Sequence, residues 1–189
     1  MSRSDELNQS AGAANDAAKE ICPWTALEPS GEGLTVDNFL TTMFSTVGNA
    51  LRRTITQPYA EQFGVSVSEW RLLSLVAHAG ELAFADLVVQ STSDKALVSR
   101  TVRLLEQRGL LEIRAEGSTP RKKLTCVVTE AGAALHAQAI PIARQRQAEM
   151  ICVLSPEERE GLYLALKKLG QHCLAPSPDG RDGGPSSYI

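Results

Sequence analysis

The sequence predicts a mainly α protein with one small β-hairpin, and three observations carry that prediction. Apolar residues recur at helical spacing in long segments near both ends of the chain. The period becomes strand-like only in LLEIRA (110–115) and KLTCVV (123–128), around Glu116-Gly117-Ser118-Thr119-Pro120, a turn with Gly and Pro at its tip. Two short helices joined by a polar turn stand directly before that hairpin.

The first 33 residues, rich in Ser, Ala, Gly, Asn and acids, are expected to form a flexible arm. A first helix is expected over about 37–59, where Phe39, Leu40, Met43, Phe44, Val47, Leu51 and Ile55 keep helical spacing in a wide stripe. A second is expected to start at Ser68, capped by its hydroxyl, and to stop at Gly80 after Trp70, Leu72, Leu73, Leu75 and Val76. A short third helix (84–90) leads into Ser91-Thr92-Ser93-Asp94, a polar turn with several possible caps for a fourth helix over about 95–108. After the hairpin, Thr129-Glu130 opens a long helix to about 153, interrupted in its hydrogen bonding at Pro141. Ser155-Pro156-Glu157-Glu158 then supplies a cap, a proline at the first helical position and acids in the first turn of a last helix, about 156–173. The Pro-, Gly- and Ser-rich stretch 175–189 is expected to be a disordered tail.

Two short helices, a tight turn and a hairpin in that order make a winged helix-turn-helix, which lays its second helix in the major groove of DNA. On that helix Lys95, Ser99, Arg100 and Arg103 form a polar and basic face. Leu97, Val98, Val102, Leu104 and Leu105 are expected on the buried side. Ser93 and Ala96 at its start join the candidates for DNA contact, and Arg121, Lys122 and Lys123 put three cations at the wing, where phosphates or the minor groove would meet them.

Net charge first argues against this function. With 19 Lys and Arg against 22 Asp and Glu the chain carries −3, whereas DNA binding requires phosphates to be neutralised. Divided along the chain the objection disappears: residues 95–123 hold eight basic and three acidic residues, a charge of +5, and the remainder carries −8. The acidity belongs to the other segments.

SVSEWRLLSLVAHAG (66–80), FADLVVQSTSDKALVSRTVRLLEQRGLL (84–111) and RKKLTCVVTEAG (121–132) together resemble the MarR family of bacterial transcription regulators. The resemblance covers about residues 34–174, with the winged helix-turn-helix at about 62–130 and dimerisation helices at about 36–59 and 130–174. It implies a homodimer whose N- and C-terminal helices interlock on a pseudo-palindromic double-stranded DNA operator, usually as a repressor released by a small molecule. Members often carry an acid before two arginines at the wing tip. Here the run is Pro120-Arg121-Lys122, and the orienting acid is missing unless Glu116 replaces it.

Independently of the resemblance, the apolar residues of the first helix and of the last two exceed what so small a reading head can cover, which indicates dimerisation. An effector is expected where the dimer helices meet the reading head. The candidates are Phe39, Met43 and Thr46 from the first helix with Trp70 and Arg71 from the second, Arg71 pairing with a carboxylate. Regulators resembling this one commonly answer to phenolic or aromatic carboxylic acids. The alternative for Arg71 is an intramolecular salt bridge, with Phe39, Met43 and Trp70 as plain core.

Four cysteines, Cys22, Cys126, Cys152 and Cys173, show no metal-binding or disulfide spacing. Three are expected in core or interface packing. Cys22, beside Pro23 and Trp24, is either an ordinary thiol or the trigger of a redox-sensing regulator of the same fold. His78, His136 and His172 are isolated and no catalytic motif is present, so neither an enzyme nor a cofactor is expected. Without an apolar leader or membrane-length segment, the protein is expected in the cytoplasm.

Overall fold

The computed structural model describes residues 22–117 and 123–174. Most of the arm (1–21), the wing tip (118–122) and the tail (175–189) lie outside the described residues. The chain separates into two compact units, residues 1–49 and 50–189.

In the first unit, residues 22–34 run through turns in which Gly31 N donates to Glu28 O and Leu34 N to Gly31 O. The indole Nε1 of Trp24 donates to Asn38 O at 3.0 Å. The helix expected over 37–59 is present, but it starts at Leu40 and carries a π-helical segment. A 3₁₀ turn, Val36–Asn38, is followed by extended Phe39 and then α1, Leu40–Leu51. A π-helical segment, Arg52–Thr56, and α2, Gln57–Gln62, continue in the second unit. Pro58 explains the π register. It lacks an N–H, and its ring would strike the carbonyl four residues back, so the preceding turn widens and Gln57 N donates five residues back, to Arg52 O.

Helix α3, Val67–Ala79, is capped by Ser66 and not by Ser68. Ser66 Oγ accepts from Glu69 N at 3.2 Å and Glu69 Oε2 accepts from Ser66 N at 2.8 Å, a reciprocal box that satisfies two orphan donors. Gly80 ends the helix at φ +79°, where any side chain would be strained. Strand β1, Glu81–Ala83, was not anticipated. It pairs antiparallel with β3, Lys123–Val128, which also pairs with β2, Leu111–Glu116, so the wing is a three-stranded sheet in the order β1-β3-β2. Between them lie α4, Phe84–Ser91, and α5, Lys95–Gln107. Helices α6, Glu130–Ile151, and α7, Pro156–Leu174, complete the second unit.

One core holds the reading head. Leu73 and Val76 of α3, Leu87 of α4, Val98, Val102 and Leu105 of α5, and Leu111 and Cys126 of the sheet are almost fully removed from water. Each large side chain so placed contributes about 1.5–3 kcal/mol of burial. Leu104, expected on the buried side of α5, is 50% exposed and Thr101 takes its place inside at 4%. At 100° per residue, 98, 101, 102 and 105 share one face and 104 falls beyond it. Of the three cysteines expected to pack, Cys126 is buried, whereas Cys152 and Cys173 are exposed in the single chain.

Candidate nucleic-acid interface and effector cavity

The segment that joins α4 to α5 is fixed almost entirely by side chains. Ser91 Oγ donates to Val88 O and Ser93 Oγ to Ser91 O. Thr92 is left-handed at φ 51°, the one non-glycine with positive φ among the described residues, and its Oγ1 donates to Ser91 O at 2.7 Å. Asp94 caps α5 by accepting from Leu97 N at 2.8 Å.

Helix α5 then divides cleanly. Val98, Thr101, Val102 and Leu105 face the core, while Lys95, Ala96, Arg100 and Arg103 are exposed and Ser99 is half-buried. The four-residue steps 95, 99, 103 and 96, 100 place these groups along one outer face. Lys95, Ser99 and Arg103 border a cleft of about 340 Å³ whose other wall is Phe84 with Ile113 and Leu124 of the sheet. The cleft runs between the helix expected in the major groove and the wing.

Not every cation of this segment is available. Arg108 donates to Glu69 at 2.8 Å, and Arg114 makes a two-point contact with Glu112. Those pairings hold the Glu112 carboxyl below its ordinary pKa and the Arg114 guanidinium above its own. Lys95, Arg100 and Arg103, by contrast, make no ion pair among the described residues. Lys123 opens β3 and is exposed; Arg121 and Lys122 lie outside the described residues.

The effector candidates fall in different units. Phe39, Met43 and Thr46 belong to residues 1–49 and are exposed there. Trp70 and Arg71 belong to the second unit. Trp70 is buried, with His136 stacked on its ring at 5.7 Å and the edge of Tyr59 at 5.5 Å. Burial, then the charge of Arg144, then His78 push the His136 pKa down. Arg71 has no carboxylate partner among the described residues; its Nη2 donates to Thr92 Oγ1 at 2.8 Å. It also borders a cavity of about 150 Å³ between α3 and the start of α5, with Val67, Leu72, Leu97 and Val98 as apolar wall and Ser68 and Ser93 as hydroxyls.

Sequence reasoning missed Thr92, because threonine carries no signal for the left-handed region. It also missed Glu69, although Ser66-Val67-Ser68-Glu69 spells a capping box.

Cys22 is exposed, and its thiol pKa is lowered by the Trp24 N–H and by the Thr25 hydroxyl. It shares a cleft of about 590 Å³ with Trp24, Asp37, Asn38 and Met43. Among the described residues no cluster of three or more His, Cys, Asp or Glu could hold a metal ion, and no helix is long and apolar enough to cross a membrane.

A capped recognition helix with an unpaired cationic face, packed beside a three-stranded wing, is a winged helix-turn-helix. Residues 63–121 match the sequence profile of the MarR family. The fold is similar to a MarR/EmrR family transcriptional regulator from Acinetobacter sp. ADP1, at 26% identity and TM-score 0.65, covering 74% of this chain and 98% of that one. It is similar too to NadR in complex with 4-hydroxyphenylacetate (21%, TM-score 0.60, 72% and 95% covered). A third similar fold is BpsR of Bordetella bronchiseptica, whose DNA binding is regulated by 6-hydroxynicotinic acid (20%, TM-score 0.63, 72% and 96% covered). The family match is carried by residues 63–121, the greater part of the winged helix-turn-helix, and the likeness of fold extends over 74% of the chain. No curated protein sequence matches the chain.

Proposed function

We propose that the protein is a cytoplasmic, homodimeric repressor that binds a pseudo-palindromic operator and releases it when a small aromatic acid binds. The observation that carries the reading is the row Lys95, Ser99, Arg100 and Arg103, which lies on the exposed face of α5 and whose three cations make no ion pair among the described residues. No ion pair among the described residues ties such a row to the fold. It suits a helix that meets bases and phosphates together, with Ser93 and Ala96 at its leading end and Arg121, Lys122 and Lys123 reaching from the wing. Two-fold symmetry sets the two reading heads about one DNA turn, roughly 34–36 Å, apart.

The apolar side chains left in water support the dimer: Phe44 and Val47 in the first unit, and Met150, Ile151, Leu162 and Leu166 in α6 and α7. Arg71 supports the acid effector, since a guanidinium without a carboxylate partner among the described residues stands, with Arg52, at a cavity whose wall is part apolar and part hydroxyl-bearing. Phe39, Met43, Thr46 and Trp70 are proposed to contribute to effector binding. The ligands of NadR and BpsR, both hydroxylated aromatic acids, agree with that class of compound.

The test is fluorescence anisotropy with the DNA upstream of the protein's own gene, repeated as salt is raised. Binding that falls steeply with salt is expected, and affinity unchanged between about 50 and 200 mM salt would count against it. Aromatic acids are then titrated into the complex.

A second reading rests on Cys22, whose thiolate is favoured by the Trp24 N–H. If peroxide releases DNA from the wild type and not from Cys22→Ser, oxidation is the signal.

A further inference from the structure

Arg71 and Thr92 are 21 positions apart, yet their side chains meet at 2.8 Å, at the point where the chain turns into the recognition helix. Thr92 is there in a conformation that a β-branched residue strongly disfavours, with φ 51° and ψ 31°. Backbone of that kind persists only where neighbours hold it. Helix α4 is short and supplies one bond of its own, Thr92 N to Val89 O at 3.2 Å. The Thr92 hydroxyl also donates to Ser91 O at 2.7 Å, within the same turn, and the restraint that reaches the Thr92 side chain from a different helix is the guanidinium of Arg71.

The same guanidinium borders the cavity of about 150 Å³ between α3 and α5. A void on the order of 150 Å³ holds one benzene ring, so the space suits a single-ring acid. Val67, Leu72, Leu97 and Val98 offer the ring an apolar wall. A carboxylate on that ring would accept both arms of the arginine fork, a stronger bond than a single neutral hydroxyl provides.

We infer that Arg71 is a latch shared by two mutually exclusive partners: Thr92, which it holds in the left-handed turn that sets the start of α5, and a single-ring aromatic carboxylate in the cavity beside it. The inference rests on the effector reading above and gives it a route to the DNA. Drawing the fork onto a carboxylate removes the restraint that comes from α3 and leaves only the local bonds to Ser91 O and Val89 O to hold Thr92 against its strain. Ser93, Lys95 and Ala96 follow directly in the chain, so relaxation at Thr92 moves the leading end of the recognition helix. Arg71 is in this sense a positioning residue for DNA as well as a contact for the acid.

The experiment compares wild type, Arg71→Ala, Thr92→Gly and the double variant by amide hydrogen exchange, with and without sodium benzoate or 4-hydroxybenzoate. Glycine accepts the left-handed conformation without strain and has no hydroxyl to hold. Without ligand, Arg71→Ala is expected to speed exchange at residues 92–97 by roughly fivefold, as loss of one modest restraint implies, and to add nothing in the Thr92→Gly background. Either acid should speed the same amides in the wild type. Thr92→Gly should still bind the acid, within about twofold by calorimetry, yet show no acid-dependent change at 92–97. Arg71→Lys, which keeps the charge and loses the fork, should weaken the acid more than it disturbs the turn.

Independent, additive effects of Arg71→Ala and Thr92→Gly overturn the latch, as does an acid-dependent change that survives in Thr92→Gly. Failure of both acids to bind the wild type overturns the shared-partner half. Operator affinity is measured separately on the same four proteins. A wild type that binds no DNA sinks the regulator reading, while additivity in a protein that does bind DNA sinks only the latch.

Discussion

Arg108 Nη1 donates to Glu69 Oε1 at 2.8 Å and thereby ties the end of the recognition helix to the first turn of α3. The glutamate side chain is 11% exposed and the arginine 38%. Glu69 serves two masters, because its other oxygen accepts from the backbone of Ser66. Burial raises its pKa, but the Ser66 N–H, the Ser66 hydroxyl and Arg108 together outweigh that and hold it below the ordinary value.

Glu69→Gln is therefore expected to lose acid-sensitive stability. A carboxyl with a depressed folded-state pKa contributes stability that is full above its unfolded pKa and lost as pH falls through the lower folded value. Denaturant unfolding followed downward from neutral pH should show the wild type weakening in that window and Glu69→Gln weakening less. At neutral pH, Glu69→Ala should cost about 1–3 kcal/mol, since a partly buried guanidinium and a cap both lose a partner. Identical acid limbs for wild type and Glu69→Gln would place the pH sensitivity elsewhere.

Gly132 gives a prediction in which two effects oppose each other. Alanine in a helix interior normally gains about 1 kcal/mol over glycine. A Cβ at Gly132, however, would collide with the carbonyl oxygen of Leu110 and crowd Val128 Cγ2 at 3.2 Å. The oxygen belongs to backbone that has little room to yield, because Leu110 O also accepts from Thr129 N. Gly132→Ala should consequently be destabilising by about 1–3 kcal/mol, the usual cost of overpacking. Equal or higher melting temperature in the variant would show that α6 can shift away from the sheet.

Much of this architecture was legible because periodicity survives in one chain. The hairpin was marked by the turn at Glu116-Gly117, the recognition helix by its polar turn, and α7 by Ser155-Pro156-Glu157-Glu158, where Glu158 Oε2 indeed accepts from Ser155 N. What escaped was either too short or too dependent on tertiary contact. Three residues of β1 show no alternation and become a strand only because β3 lies beside them. The π segment in the first helix follows from Pro58, whose effect appears one turn upstream of the proline itself. Leu104 looks like core by residue type, but its angular position decides otherwise. For the candidate site, charge pattern named the cations, but the charge of +5 over residues 95–123 also includes Arg108 and Arg114, and only geometry reveals that each is already paired.

That distinction predicts which cations matter to DNA. Arg103→Ala should weaken operator binding by roughly tenfold at moderate salt and lower the slope of log affinity against log salt by about one, the signature of one lost phosphate contact. Arg114→Ala should leave both nearly unchanged, because its charge is met by Glu112. Anisotropy titrations at several salt concentrations read both quantities. Equal losses in the two variants would mean that the field of the whole segment, and not the unpaired row, determines affinity.

The exposed apolar face of α7 supplies the last prediction. Leu162 and Leu166 are 48% and 43% exposed in the single chain, and four residues apart they lie on one side of the helix. Covering each would contribute about 1.5–3 kcal/mol if burial were complete, and half that for side chains already partly covered. Leu162→Glu with Leu166→Glu reverses the sign by requiring two carboxylates to leave water. Sedimentation should show a dimer for the wild type and a monomer for the double variant. The wild type should also melt at a temperature that rises with protein concentration, since subunit association stabilises only the folded state. Dependence on concentration should vanish in the variant, and a variant that still sediments as a dimer would exclude this face from the interface.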